Sequence, residues 1–75
     1  MVRAYVLITA NPGKALDVVE RLRATDGVIR ADAITGEYDA IAEVEADDIV
    51  GVGNLVVSHV QSAGVLKTTT CLAVQ

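Results

Sequence analysis

Residues 28–46, VIRADAITGEYDAIAEVEA, alternate apolar and polar positions in two runs on either side of a short polar segment. Alternation with period two marks a strand with one buried face. Two such runs around a glycine-containing segment read as a hairpin. With Gly36–Asp39 as a four-residue loop, Ile34 lies opposite Ile41, Ala33 opposite Ala42, Asp32 opposite Glu43, Ala31 opposite Val44 and Arg30 opposite Glu45. One face then carries Ile29, Ala31, Ala33, Ala42, Val44 and Ala46 and is apolar throughout. A one-residue slip mixes the faces, so burial selects this pairing. The alanines make the face suited to the close approach of covering helices.

The flanking segments complete a pattern. VRAYVLITA (2–10) is rich in β-branched residues and reads as a strand. Asn11 is placed to cap a helix, with Pro12 at its first position. Ala15, Leu16, Val18, Val19 and Leu22 recur at helical spacing, and Asp17, Glu20, Arg21 and Arg23 fall mostly on the other face. Gly27 is a candidate left-handed cap. Asp47 and Asp48 give a second helix an acidic start. Its apolar stripe is Ile49, Val52, Leu55, Val56, Val60 and Ala63, weakened by Gly51 and Gly53 by roughly 1 kcal/mol each relative to alanine. Gly64 ends that helix, and VLKTTTCLAV (65–74) is the last strand. The order β-α-β-β-α-β predicts an α+β, ferredoxin-like fold: a four-stranded antiparallel sheet with both helices on one face, in a single domain over residues 1–75.

Composition points to association. A 75-residue chain makes a marginal core by itself. A single cysteine, Cys71, forms no internal disulfide, and no cluster has zinc-ligand spacing. Yet 52% of the residues are hydrophobic. The second sheet face carries Tyr5, Leu7, Ile34 and Ile41 among Arg3, Arg30, Asp32, Glu43 and Glu45. That mixture suits another sheet better than it suits water, so a sheet-to-sheet dimer that assembles further is expected. Net charge is −4 and the six basic residues are scattered, which argues against direct nucleic-acid binding. Residues 49–66 carry no formal charge, but Gly51, Gly53, Asn54, Ser58, His59, Gln61 and Ser62 make them too polar for a membrane span. The N-terminus has no signal-peptide pattern, and the reduced lone cysteine fits the cytoplasm.

With the element order in place, VIRADAITGEYDAIAEVEADD (28–48) and AGVLKTTTCLAV (63–74) resemble the effector-binding RAM domain of the Lrp/AsnC (feast/famine) transcriptional regulators. The resemblance covers nearly the whole chain and rests on a T-G-x-Y-D turn between strands and a G-V-x-x-T-x-T ending. Family members usually carry a helix-turn-helix domain first, whereas this chain starts at the first strand, so a stand-alone form is expected. The resemblance implies an amino-acid-sensing module without a cofactor. It also implies dimers paired through their sheets, rings of eight or ten subunits, and possible association with full-length Lrp/AsnC regulators. Small effectors bind such domains near the turn between the second and third strands, in a cleft between dimers. That carries over to Gly36, Tyr38 and Asp39, with Thr68, Thr69 and Thr70 as weaker matches.

The residues fit that chemistry. Asp39 can accept from an ammonium, backbone N–H groups around Gly36 can approach a carboxylate, Tyr38 offers a rigid wall with a hydroxyl tip, and threonine hydroxyls donate or accept. Plainer roles stand beside these. Gly36 and Asp39 equally serve turn geometry, Tyr38 equally packs against a neighbouring subunit, and the threonines equally fill a strand. As a loop carboxylate, Asp39 is expected to support little of the fold. The GVG at 51–53 follows no strand and lacks a third glycine, so it is no nucleotide motif. His59 stands without a metal partner, and Cys71 reads as a small buried residue. Glu43 and Glu45 share a face, where an ion pair from Arg30 to Glu45 accounts for them better than acid–base chemistry. No nucleophile, base and orienting group assemble, so an enzyme is not expected. The rival readings are a small enzyme of the α+β-barrel type and an assembly partner with no ligand. The ACT domain shares the element order but carries its glycine-rich turn after the first strand, where NPGK has one glycine.

Overall fold

The computed structural model describes residues 1–74. Its elements are β1 (Val2–Ala10), α1 (Ala15–Arg23), β2 (Val28–Ala33), β3 (Ala40–Ala46), α2 (Ile49–Leu55), a π-helical turn (Val56–Val60) and β4 (Val65–Leu72). The strands form one antiparallel sheet in the order β2-β3-β1-β4. This is the expected ferredoxin-like fold. Alternate residues of β1 (Ala4, Val6, Ile8, Ala10) and β3 (Ala40, Ala42, Val44) are buried beneath Val18, Val19 and Leu22 of α1, Val52 of α2, and Val56 and Val60 of the π turn. Among the described residues, the core contains only Ala, Val, Ile and Leu side chains.

The hairpin keeps Ala31, Ala42, Val44 and Ala46 on the core side, but Ile29 and Ala33 are exposed and the offset differs from expectation. Ala31 pairs with Ala42, Asp32 with Ile41 and Ala33 with Ala40, two positions away from the pairing inferred above. The ladder closes at Ala33 and Ala40, so the connection is the six-residue Ile34–Asp39. A bulge between Val28 and Arg30 turns Val28 toward the core and leaves Ile29 half exposed, at 50%. A two-residue shift preserves which residues share a face, so the apolar pattern cannot distinguish the two registers. Arg30 consequently lies opposite Glu43, not Glu45.

Several local expectations are also revised. Asn11–Lys14 is a turn closed by Lys14 N–H to Asn11 O at 2.9 Å, with Gly13 at φ +77°. The proline and left-handed glycine suit a type II turn, so α1 starts after the Pro-Gly pair, and Lys14 precedes it without a side-chain cap. Gly27 and Gly64 have positive φ, but they sit in turns closed by Val28 N–H to Thr25 O and Val65 N–H to Ser62 O, beyond the helix ends. Ile49 and Ala63 are exposed and do not join the stripe. β4 stops at Leu72, two residues short of expectation. Gly51 has a packing role: a Cβ there would lie 2.9 Å from the Ala46 Cβ, so glycine lets the start of α2 rest on the end of β3. Arg23 ties α1 to the edge strand β2 through Ala31 O (2.8 Å) and the Asp32 carboxylate (3.2 Å).

Asp48 caps α2 by accepting from Gly51 N–H at 2.7 Å. Asp48→Ala is expected to cost about 0.5–2 kcal/mol, measured as a lower urea midpoint at unchanged denaturant slope.

The other sheet face is open in the single chain. Tyr5, Leu7 and Ile41 are half-buried there. Glu43 accepts from Arg3 (3.1 Å) and Arg30 (3.3 Å). Arg3 also donates to the Tyr5 hydroxyl at 3.2 Å and lies 5.8 Å from that ring's centre. The Arg3 guanidinium is held above its ordinary pKa, first by the hydrogen bond to Glu43 and then by charge interaction with Tyr5. Cys71 pairs with Tyr5 on this face and is exposed rather than buried, because β4 is an edge strand and the helices cover only its other side.

Candidate functional site

The Ile34–Asp39 connection leaves the sheet beside the end of β1. β3 begins at Ala40 opposite Ile8, so Ala10 lies beyond the β1–β3 ladder. Asp39 fills the gap. Its N–H donates to Ile8 O at 2.8 Å, its carbonyl accepts from Ile34 N–H at 2.9 Å, and its carboxylate Oδ2 accepts from Ala10 N–H at 2.8 Å. Ala10 is 7% exposed, so the carboxylate satisfies a buried donor. Asp39 is therefore part of the framework, which corrects its reading as a loop carboxylate of little structural weight. The participation of Ala10 has no signal in residue type, because a backbone N–H is common to every residue except proline.

The remaining carboxylate oxygen, Oδ1, makes no hydrogen bond among the described residues. Gly36 has φ +116°, and among the described residues nothing lies within 4 Å of where its Cβ would be. Among the described residues, no hydrogen bond takes up the N–H groups of residues 35–38. Tyr38 is half-buried between Glu37, which is exposed, and Asp39. The turn thus holds an acceptor, a set of backbone donors and an aromatic ring within four consecutive residues, Gly36–Asp39.

The threonines divide between surfaces. Thr69 pairs with Leu7 on the open sheet face, while Thr68 and Thr70 pair with Ile8 and Val6 and point to the helix side. Thr68 Oγ1 accepts from Gln61 Nε2 at 2.9 Å and lines an open depression of about 550 Å³ formed by residues 61–68. That depression includes neither Gly36, Tyr38 nor Asp39. Within one chain the two groups of candidate residues are not brought into a common pocket. Among the described residues, no helix is long and apolar enough to cross a membrane, and no group of three or more His, Cys, Asp or Glu is arranged to hold a metal.

The model of the Lrp/AsnC ligand binding domain matches residues 3–75. The chain belongs to this family. Two solved structures match over nearly their whole lengths. The hypothetical protein PHS023 from Pyrococcus horikoshii is 30% identical with TM-score 0.92, covering 100% of this chain and 92% of its own. FFRP-DM1 is 31% identical with TM-score 0.93, covering 99% of this chain and 100% of its own. Transcriptional regulator NMB0573 from Neisseria meningitidis, solved as a complex with L-Met, is 19% identical with TM-score 0.80; it covers 99% of this chain and 50% of its own, and shares the fold. No curated protein matches. The Lrp/AsnC family is one of regulatory ligand-binding domains.

Proposed function

We propose that this Lrp/AsnC domain senses free amino acids and passes the signal on through its assembly. The observation that carries this reading is the Ile34–Asp39 turn, where Asp39 Oδ1 and the N–H groups of residues 35–38 have no hydrogen-bond partner among the described residues. A zwitterion presents the complementary pair: an ammonium for Oδ1 and a carboxylate for the N–H groups. Tyr38 forms a wall for the variable side chain, and Gly36 holds the backbone in a positive-φ conformation. The L-Met complex of the Neisseria meningitidis regulator supports the ligand class. Two copies pair through their open sheet faces, and dimers join into rings of eight or ten in which a neighbouring copy closes the site and contributes Thr68, Thr69 or Thr70. In this reading the domain acts on transcription indirectly, by associating with full-length Lrp/AsnC regulators.

A thermal-shift screen of the twenty amino acids, with native mass spectrometry of the best ligand, tests the reading. Ligand at 100 times its dissociation constant stabilises by roughly 2.7 kcal/mol, which raises the midpoint of a domain this small by roughly 10–20 °C. If no amino acid shifts the midpoint, the sensing role fails and the chain is an assembly partner alone. Asp39 gives that second reading its own support, since its Oδ2 already serves Ala10.

A further inference from the structure

Arg21, in the second half of α1, carries two buried donors that meet no acceptor. Its Nη1 donates to Ala63 O at 3.1 Å. Its Nε and Nη2 are shielded from solvent and make no hydrogen bond. Among the described residues they are the only buried side-chain nitrogens or oxygens in that state. Asp17 lies one helical turn earlier and Glu20 is adjacent in sequence, yet Arg21 forms an ion pair with neither among the described residues. A charged group withdrawn from water is costly without a partner. The bond to Ala63 accounts for one edge of the guanidinium and leaves the other unexplained.

The surroundings of Arg21 are held in place. Its bond to Ala63 O, and Asn11 N–H to Gly64 O at 2.8 Å, fasten residues 63–64 against α1 and the turn before it. The approach is close, since a Cβ on Gly64 would lie 3.3 Å from both Lys14 Cβ and Val18 Cγ2. Beside this contact is a cavity of about 180 Å³ lined by Lys14, Asp17, Val18, Arg21, Ala63 and Gly64. We propose that it takes a small oxyanion, a carboxylate or phosphate group, with Arg21 as the anchor. Nε and Nη2 lie on one edge of the guanidinium and present parallel N–H groups, the fork that matches two oxygens on one centre. The bond from Nη1 to Ala63 O already restrains the guanidinium, so less side-chain freedom is lost on binding. Lys14 and Arg21 outweigh Asp17 in this cavity. The other depression bordered by Arg21 is lined by Asp17, Glu20 and Ala24, where like charge repels an anion. The cavity shares no residue with the Ile34–Asp39 turn, so it is a second site, distinct from the one proposed for a zwitterion.

The test measures thermal midpoints of the full chain at neutral pH in sodium phosphate and in sodium acetate, with chloride balancing the ionic strength. The midpoint is expected to rise with one or both anions beyond the chloride control, and the anion that acts tells phosphate from carboxylate. Arg21→Lys keeps the charge and removes the fork. It is expected to weaken the apparent affinity at least about ten-fold, with the response read against the variant's own chloride baseline. Arg21→Gln retains a donor for Ala63 O and is expected to lose the response equally, which separates the anion from the support of the turn. In nitrogen–proton correlation spectra the Arg21 Nε–H signal, assigned by its absence from Arg21→Lys, is expected to move as the anion is added. Equal midpoints in all three salts overturn the proposal. A wild-type response in Arg21→Lys, or an Nε–H signal that stays still while the midpoint rises, also overturns it and places the anion elsewhere. Failure of the amino-acid screen is read separately, because that screen reports on the Ile34–Asp39 turn and this one on Arg21.

Discussion

Asp39→Ala is expected to weaken amino-acid binding and the fold together. The substitution removes the acceptor that Ala10 N–H finds at 2.8 Å. A buried donor left unsatisfied costs about 1–3 kcal/mol. Loss of the charged hydrogen bond to a ligand ammonium weakens binding by a further 1.5–3 kcal/mol or so. Asp39→Asn separates the two effects. Its amide oxygen still serves Ala10, so stability stays close to wild type, while the missing charge still weakens binding. Urea denaturation and calorimetry of both variants, at equal oligomeric state, supply the comparison. Wild-type affinity in Asp39→Asn would reduce Asp39 to a framework residue. Wild-type stability in Asp39→Ala would show that the bond to Ala10 carries no weight.

Ile41→Asp is expected to convert the sheet-paired dimer into folded monomers. Ile41 pairs with Leu7 on the open face, and Leu7 pairs on its other side with Thr69. In the proposed dimer these side chains lie between two sheets. An unpaired carboxylate buried there costs about 3–5 kcal/mol, a rise of roughly two to nearly four orders of magnitude in dissociation constant. The single chain tolerates the change because this face is not part of its core. Sedimentation at micromolar concentration distinguishes the outcomes, and a variant that dimerises as tightly as wild type would move the interface elsewhere.

The fold was legible because each segment carries a pattern with its own period. Ala4, Val6, Ile8 and Ala10 alternate, while Val18, Val19 and Leu22 follow helical spacing, and all are buried. The hairpin offset was not legible. Pairing Ala33 with Ala40 or with Ala42 puts the same alternate residues on one face, and the choice depends on loop geometry and on the bulge at Ile29. The π-helical turn at Val56–Val60 left no mark either, since Val56 and Val60 are four apart and fit an ordinary α-helix. Gly36, Tyr38 and Asp39 were picked out by chemistry and resemblance, and the structure adds the link to Ala10. The division of Thr68, Thr69 and Thr70 between two surfaces follows from β-pleating alone, but their relation to the turn depends on neighbouring copies, and the geometry between copies is not written in one chain's periodicity.

The all-aliphatic core has a practical consequence for anyone measuring this protein. The chain has no Trp or Phe and only two tyrosines. Tyr5 sits on the open sheet face beside Arg3, and Tyr38 sits in the turn next to Asp39. Ultraviolet emission and near-ultraviolet dichroism therefore come from two rings, one at the surface proposed for pairing and one at the surface proposed for the ligand. In Tyr5→Phe the remaining signal belongs to Tyr38 and follows ligand addition. In Tyr38→Phe it belongs to Tyr5 and follows dilution of the dimer. Repacking among the valines and alanines would pass unseen by either, so a quiet spectrum is no sign of a rigid interior.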